Sequence, residues 1–81
     1  MNIYWCHELD EPYGLYVVAP TRGRAKRWFA MEVGCDYTDV RTTTMRRGVT
    51  DTFEGSIAEG DPILEKYGLE YLDEEYAEEY L

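Results

Sequence analysis

The sequence predicts an α+β fold: a small antiparallel sheet of three or four strands in β-β-α-β order packed on one helix, followed by a short helix and an acidic helical C-terminal segment. Three observations predict it. Residues 2 to 8 alternate in residue types that suit a half-buried strand. Residues 21 to 34 carry a capped helical period. Residues 37 to 45 are dense in β-branched side chains. A chain of 81 residues has room for one core, so the expectation is one domain over 1–81, with 1–48 the β-β-α-β core and 49–81 an acidic loop and helical C-terminal segment. With 44% hydrophobic and 15% aromatic residues, the chain holds too much core-forming material to stay disordered despite its charge.

Each element has a local cause. In the first strand Ile3, Trp5 and His7 share one face and Tyr4, Cys6 and Glu8 the other. Asp10-Glu11-Pro12-Tyr13-Gly14 is turn chemistry, and the apolar run Leu15 to Ala19 completes a hairpin. Pro20 ends the second strand and Thr21 caps a helix whose inner face is read as Ala25, Trp28, Phe29 and Val33, with Gly34 as its stop. Tyr37 to Met45 reads as the third strand, ending at Arg46-Arg47-Gly48. Residues 49 to 60, punctuated by two glycines, read as a loop with a short edge strand. Asp61 before Pro62 starts a short helix over Ile63 to Tyr67, closed by Gly68. From Leu69 onward Leu72, Tyr76 and Tyr80 recur at near-helical spacing among acids.

Charge is sorted along the chain. Seven of the eight Lys and Arg residues lie between positions 22 and 47, whereas eleven of the seventeen Asp and Glu residues lie after position 47. The net charge of −9 bears on partners rather than fold, and it favours a cationic partner over direct contact with nucleic acid or an anionic membrane. Glu70, Asp73, Glu74, Glu75, Glu78 and Glu79 fall within ten residues. As a helix this stretch carries roughly one negative charge per 2.5 Å of axis, comparable to the phosphate spacing of about 3.4 Å along one DNA strand. Like charges at 70/74, 74/78 and 75/79 disfavour such a helix on its own, a cost that a cationic partner removes. The bland reading is a solvated, solubilising tail, but the interleaved Tyr71, Tyr76 and Tyr80 suit a binding surface. Glu70, Asp73, Glu74, Glu75, Tyr76, Glu78, Glu79 and Tyr80 are therefore the candidate partner-binding residues.

The alternative site is basic. Arg22, Gly23, Arg24, Lys26 and Arg27 open the first helix, where the helix dipole is already positive, an arrangement that makes sense if an anion is held there. That anion is a phosphate, or the acidic segment of the same chain or of a second copy, which leaves a homodimer open. Arg41, Arg46 and Arg47 are read as extending the patch. No phosphate-loop pattern is present.

Catalysis and metals find little support. His7 is the only histidine and Ser56 the only serine, far apart in sequence, and Cys6 beside His7 lacks the spaced ligand pairs of a zinc site. The expectation is no enzyme, no metal and no cofactor. The amino terminus has no basic start and long apolar run, which predicts a protein that is neither exported nor membrane-spanning and that works in the cytoplasm. There Cys6 and Cys35 stay reduced, although a bridge between a strand and the end of a packed helix is sterically conceivable.

The stretch 13–30 (Tyr-Gly-Leu-Tyr-Val-Val-Ala-Pro-Thr-Arg-Gly-Arg-Ala-Lys-Arg-Trp-Phe-Ala) and Tyr37-Thr38-Asp39-Val40-Arg41 resemble small uncharacterised proteins encoded by phages and prophages. The shared pattern is a strand, a Thr/Ser-Arg-Gly/Asn-Lys/Arg-Ala-Lys helix start and a strand ending in arginine, over about half the chain. The resemblance implies a phage protein acting in a bacterial host cell and carries no catalytic residue. Small acidic phage proteins include anti-CRISPR and anti-restriction proteins that imitate DNA, and the similarity to that class lies in size and charge alone.

Overall fold

The computed structural model describes residues 1–11 and 13–69. Four antiparallel strands, β1 (Asn2–Glu8), β2 (Gly14–Ala19), β3 (Val40–Arg46) and β4 (Gly55–Ile57), form one sheet in the order β3-β1-β2-β4. The hairpin registers Asn2 with Ala19 and His7 with Gly14, and β3 lies against β1 with Glu8 opposite Val40 and Ile3 opposite Arg46. The short edge strand expected within 49–60 is β4, paired to β2 through Tyr16 and Ile57.

Helix α1 (Arg22–Val33) starts where its cap predicts, with Thr21 accepting from the Arg24 amide at 3.2 Å, and stops at Gly34, whose φ of 75° is the left-handed conformation that favours glycine. Helix α2 (Pro62–Lys66) begins on Asp61, whose carboxylate accepts from the Ile63 amide at 3.0 Å. Two expectations need correction. The third strand begins at Val40, not Tyr37, because Asp36 accepts from both the amide and the hydroxyl of Thr38 and winds Tyr37–Asp39 into a 3-10 turn. Val33 is exposed, so the buried face of α1 is Ala25 and Phe29 flanked by half-buried Trp28. One turn beyond Phe29 the helix has already cleared the sheet.

The alternation in β1 divides two apolar clusters, one on each face of the sheet. Tyr4, Cys6, Val17, Ala19 and Val40 meet Ala25 and Phe29 of α1. Ile3, Trp5, Tyr16 and Val18 meet Val49, Ile57, Leu64 and Leu69, so the segment after β3 covers the face that α1 leaves bare. Trp5 and Tyr16 pack edge to face with centroids 4.9 Å apart. Trp5 also lies over Gly14, where an added Cβ would sit 2.8 Å from Cζ2 of the indole and would collide with the Cys6 carbonyl oxygen. Cys6 and Cys35 are free thiols. The helical segment expected beyond Leu69 lies outside the described residues. No helix among the described residues is long and apolar enough to cross a membrane.

Candidate functional site

Antiparallel topology converts the charge order of the sequence into a separation in space. Strand β1 runs from Asn2 toward Glu8, and α1, entered from the end of β2, runs the same way. One end of the sheet therefore carries the β1–β2 turn, the C-terminal end of α1 and the 3-10 turn before β3. Glu8, Asp10, Glu11, Glu32, Asp36 and Asp39 gather there, with the Leu9 amide donating to the Asp39 carbonyl at 2.7 Å to tie the two turns together. Asp36 is held below the ordinary carboxylate range by the Thr38 amide and then by its hydroxyl. Arg41 also lies at this end, and its guanidinium turns onto the carbonyls of Thr38 and Val40 at 3.0 and 3.2 Å. Glu59, Asp61 and Glu65 add carboxylates along an open cleft of about 500 Å3 beside α2.

The opposite end holds the start of α1, with Arg22 and Arg24, and the exit from β3, with Arg46 and Arg47. The two ion pairs found among the described residues are both anchored in the loop between β3 and β4. Glu54 accepts from Arg24 Nη2 and from the Trp28 indole N–H on the same oxygen, each at 2.7 Å. Trp28 first, and Arg24 second, hold its carboxyl below the usual range. Asp51 accepts from Lys66 Nζ and from the Tyr67 hydroxyl, contacts that lower its own pKa and raise both of theirs.

The basic residues singled out in the sequence are placed as follows. Arg22 reaches Thr44 Oγ1 on β3 at 3.2 Å, while Arg24 reaches Glu54 beside β4. Those strands are the two opposite edges of the sheet, so the two guanidinium groups point to different sides. Lys26 sits 5.7 Å from the centroid of the Tyr37 ring. Gly23 is exposed under the Tyr37 hydroxyl, 3.5 Å from where a Cβ would lie. Arg27 is exposed on the outer side of α1. Arg41 lies at the acidic end, whereas Arg46 and Arg47 leave β3 at the end where α1 starts. The unfavourable charge at the start of α1 is thus offset by a tertiary carboxylate, Glu54, that the sequence reading did not connect to it. The candidate residues Glu70, Asp73, Glu74, Glu75, Tyr76, Glu78, Glu79 and Tyr80 lie outside the described residues.

His7 is buried at the end of β1, with Nδ1 donating to the Glu8 carbonyl at 3.0 Å. Among the described residues no group of three or more His, Cys, Asp or Glu side chains is arranged to hold a metal ion. Cys6 is sealed beneath α1 and Cys35 is half-buried, and burial raises the pKa of both thiols. Comparison with protein-family models, with curated proteins and with solved structures gives no match to this chain.

Proposed function

We propose that this chain is a non-enzymatic binding protein of phage type whose carboxylate-bearing surface imitates nucleic acid and blocks a cationic, nucleic-acid-binding site on a host defence protein such as a CRISPR effector. The observation that carries this reading is the uneven distribution of charge. All eight basic residues fall among the described residues, which together carry a net charge of −3, and Glu70 to Glu79 supply the remaining −6. Arg24 and Lys66 are already matched to Glu54 and Asp51. Glu8, Asp10, Glu11, Glu32, Asp36 and Asp39 lie on the elements at one end of the sheet, where acids outnumber the cations Arg41, Lys26 and Arg27 near that turn. A surface of this kind gains from cations it does not itself supply, and charge complementarity of this type sets specificity and the rate of encounter.

The test is capture from bacterial lysate at low salt followed by elution in a salt gradient, with wild type compared against the quadruple variant Glu74→Gln, Glu75→Gln, Glu78→Gln, Glu79→Gln and against Asp10→Asn, Glu11→Gln, Asp39→Asn. The captured protein should bind a short DNA or RNA duplex, and that duplex should displace the wild-type chain. The quadruple variant should bind at least about tenfold more weakly while keeping its thermal midpoint. Elution of both variants at the wild-type salt concentration would refute the reading, as would a partner indifferent to nucleic acid.

A further inference from the structure

The two edges of the sheet are guarded differently. At one edge β4 presents three residues, whereas at the other β3 presents seven, and an open strand of that length is a template for a further strand. Which of its backbone groups face outward follows from the ladder. The Leu9 amide donates to the Asp39 carbonyl, so by antiparallel alternation the pairs His7 with Arg41 and Trp5 with Thr43 carry the bonds to β1, while Val40, Thr42 and Thr44 direct their N–H and C=O groups away from it. Val40 agrees: its amide donates to the Tyr37 carbonyl, and its own carbonyl accepts from Arg41 Nη1 at 3.2 Å. At the far end Arg46 Nη1 donates to the Met45 carbonyl at 2.7 Å. Both ends of the edge are thus closed by the chain itself. Between them the amides and carbonyls of Thr42 and Thr44 are left open among the described residues, on either side of exposed Thr43.

We infer that this edge is a docking site for an extended acidic segment of a partner protein, which adds a strand antiparallel to β3 by bonding the open groups of Thr42 and Thr44 and sets its carboxylates against Arg22 and Arg46. The charge along the edge identifies the occupant. Arg22 reaches β3 at Thr44 Oγ1, 3.2 Å away, and Arg46 and Arg47 follow Thr44 in sequence, all three arginines exposed. A guanidinium has five N–H donors, so one bond to the protein leaves the others for a carboxylate. The acids Asp36 and Asp39 stand at the other end of β3, so the guest's carboxylates belong at the end that passes Thr44, which in antiparallel pairing is its amino-terminal end. The same edge of a second copy is a poor occupant, because it sets arginines against arginines. The edge is separate from the acids invoked above, so the inference goes beyond that reading and stands without it.

Fluorescence anisotropy with a labelled Glu-Val-Glu-Val-Thr-Val-Thr amide, together with amide hydrogen exchange of the full chain, tests the inference. In the free protein the Thr42 and Thr44 amides should exchange at least about tenfold faster than those of Arg41 and Thr43. The peptide should bind with a dissociation constant between about 10 µM and 1 mM, more weakly as salt rises, and should slow exchange at Thr42 and Thr44. Lys in place of both Glu should weaken binding at least about tenfold, as should the double variant Arg22→Gln, Arg46→Gln at an unchanged thermal midpoint. Two peptides, each methylated on one set of alternate amide nitrogens, should differ by at least about tenfold, since only one set faces β3. No binding up to about 1 mM would overturn the inference. So would equal binding of the two methylated peptides or unchanged exchange at Thr42 and Thr44 in the complex, since the attraction would then be one of charge without strand pairing, and so would equal binding of the Lys peptide.

Discussion

Alkaline stability is the sharpest test of how tightly α1 closes on the sheet. Cys6 is 0% exposed among Tyr4, Val17, Ala25 and Phe29, and its Sγ–H points at the Ala25 carbonyl at 4.0 Å. Burial pushes this thiol from 9.0 up to about 12, against a smaller downward pull from Lys26. The sign follows from proton counting. Between those two values the unfolded chain has released a proton that the folded chain keeps, so the stabilisation is complete below pH 9 and is lost as pH climbs toward 12. Each pH unit in that window costs about a factor of ten in the folding equilibrium, and by pH 11 the loss is about 3 kcal/mol. That is a large share of the roughly 5–15 kcal/mol of a typical domain. Urea unfolding of wild type and of Cys6→Ala at pH 8, 9, 10 and 11 isolates the effect, because Tyr67, Lys66 and every other titrating group is common to both chains. Cys6→Ala should be the less stable at pH 8, and its disadvantage should shrink by about 3 kcal/mol by pH 11. A stability difference independent of pH would refute the reasoning, and with it the seal over Cys6.

Two other substitutions probe the fold and the loop. Gly14→Ala drives a methyl group into the Cys6 carbonyl and to 2.8 Å from the Trp5 ring; it should cost about 2–4 kcal/mol and roughly 10–20 °C of thermal midpoint, and a loss under about 1 kcal/mol would show the hairpin yields easily. Glu54 holds the Trp28 indole from a carboxyl displaced downward by Trp28 and Arg24, so the contact is present above that depressed value and lost as pH falls through it. Acid titration of tryptophan emission should show a step below the ordinary carboxylate range that Glu54→Gln abolishes, and an identical step in the variant would disprove the assignment.

Local chemistry was legible wherever a residue acts on its immediate neighbours. Thr21, Gly34 and Asp61 mark helix ends because capping is decided within three or four residues, and the alternation of Ile3 to His7 assigns faces because a strand has no other way to point its side chains. The start of β3 was missed where one short-range bond beat propensity, since Asp36 bends three residues that are otherwise good strand formers. What no window reveals is assembly. Glu8 to Glu11 and Asp36 to Asp39 are some 25 positions apart, and only the antiparallel return of β3 beside β1 places them together. Arg24 likewise shows in sequence as a cation seeking an anion, but its partner Glu54 lies 30 residues downstream, past the whole of β3.

The placement of opposite charges at the two ends of so short a sheet also governs how the molecule meets anything else. In the field of a charged body it experiences a torque before it experiences contact, turning one end forward and the other away at distances within a Debye length, about 8 Å at physiological salt. Rotational search is shortened, so productive collisions should be more frequent at low ionic strength than a neutral molecule of this shape could achieve.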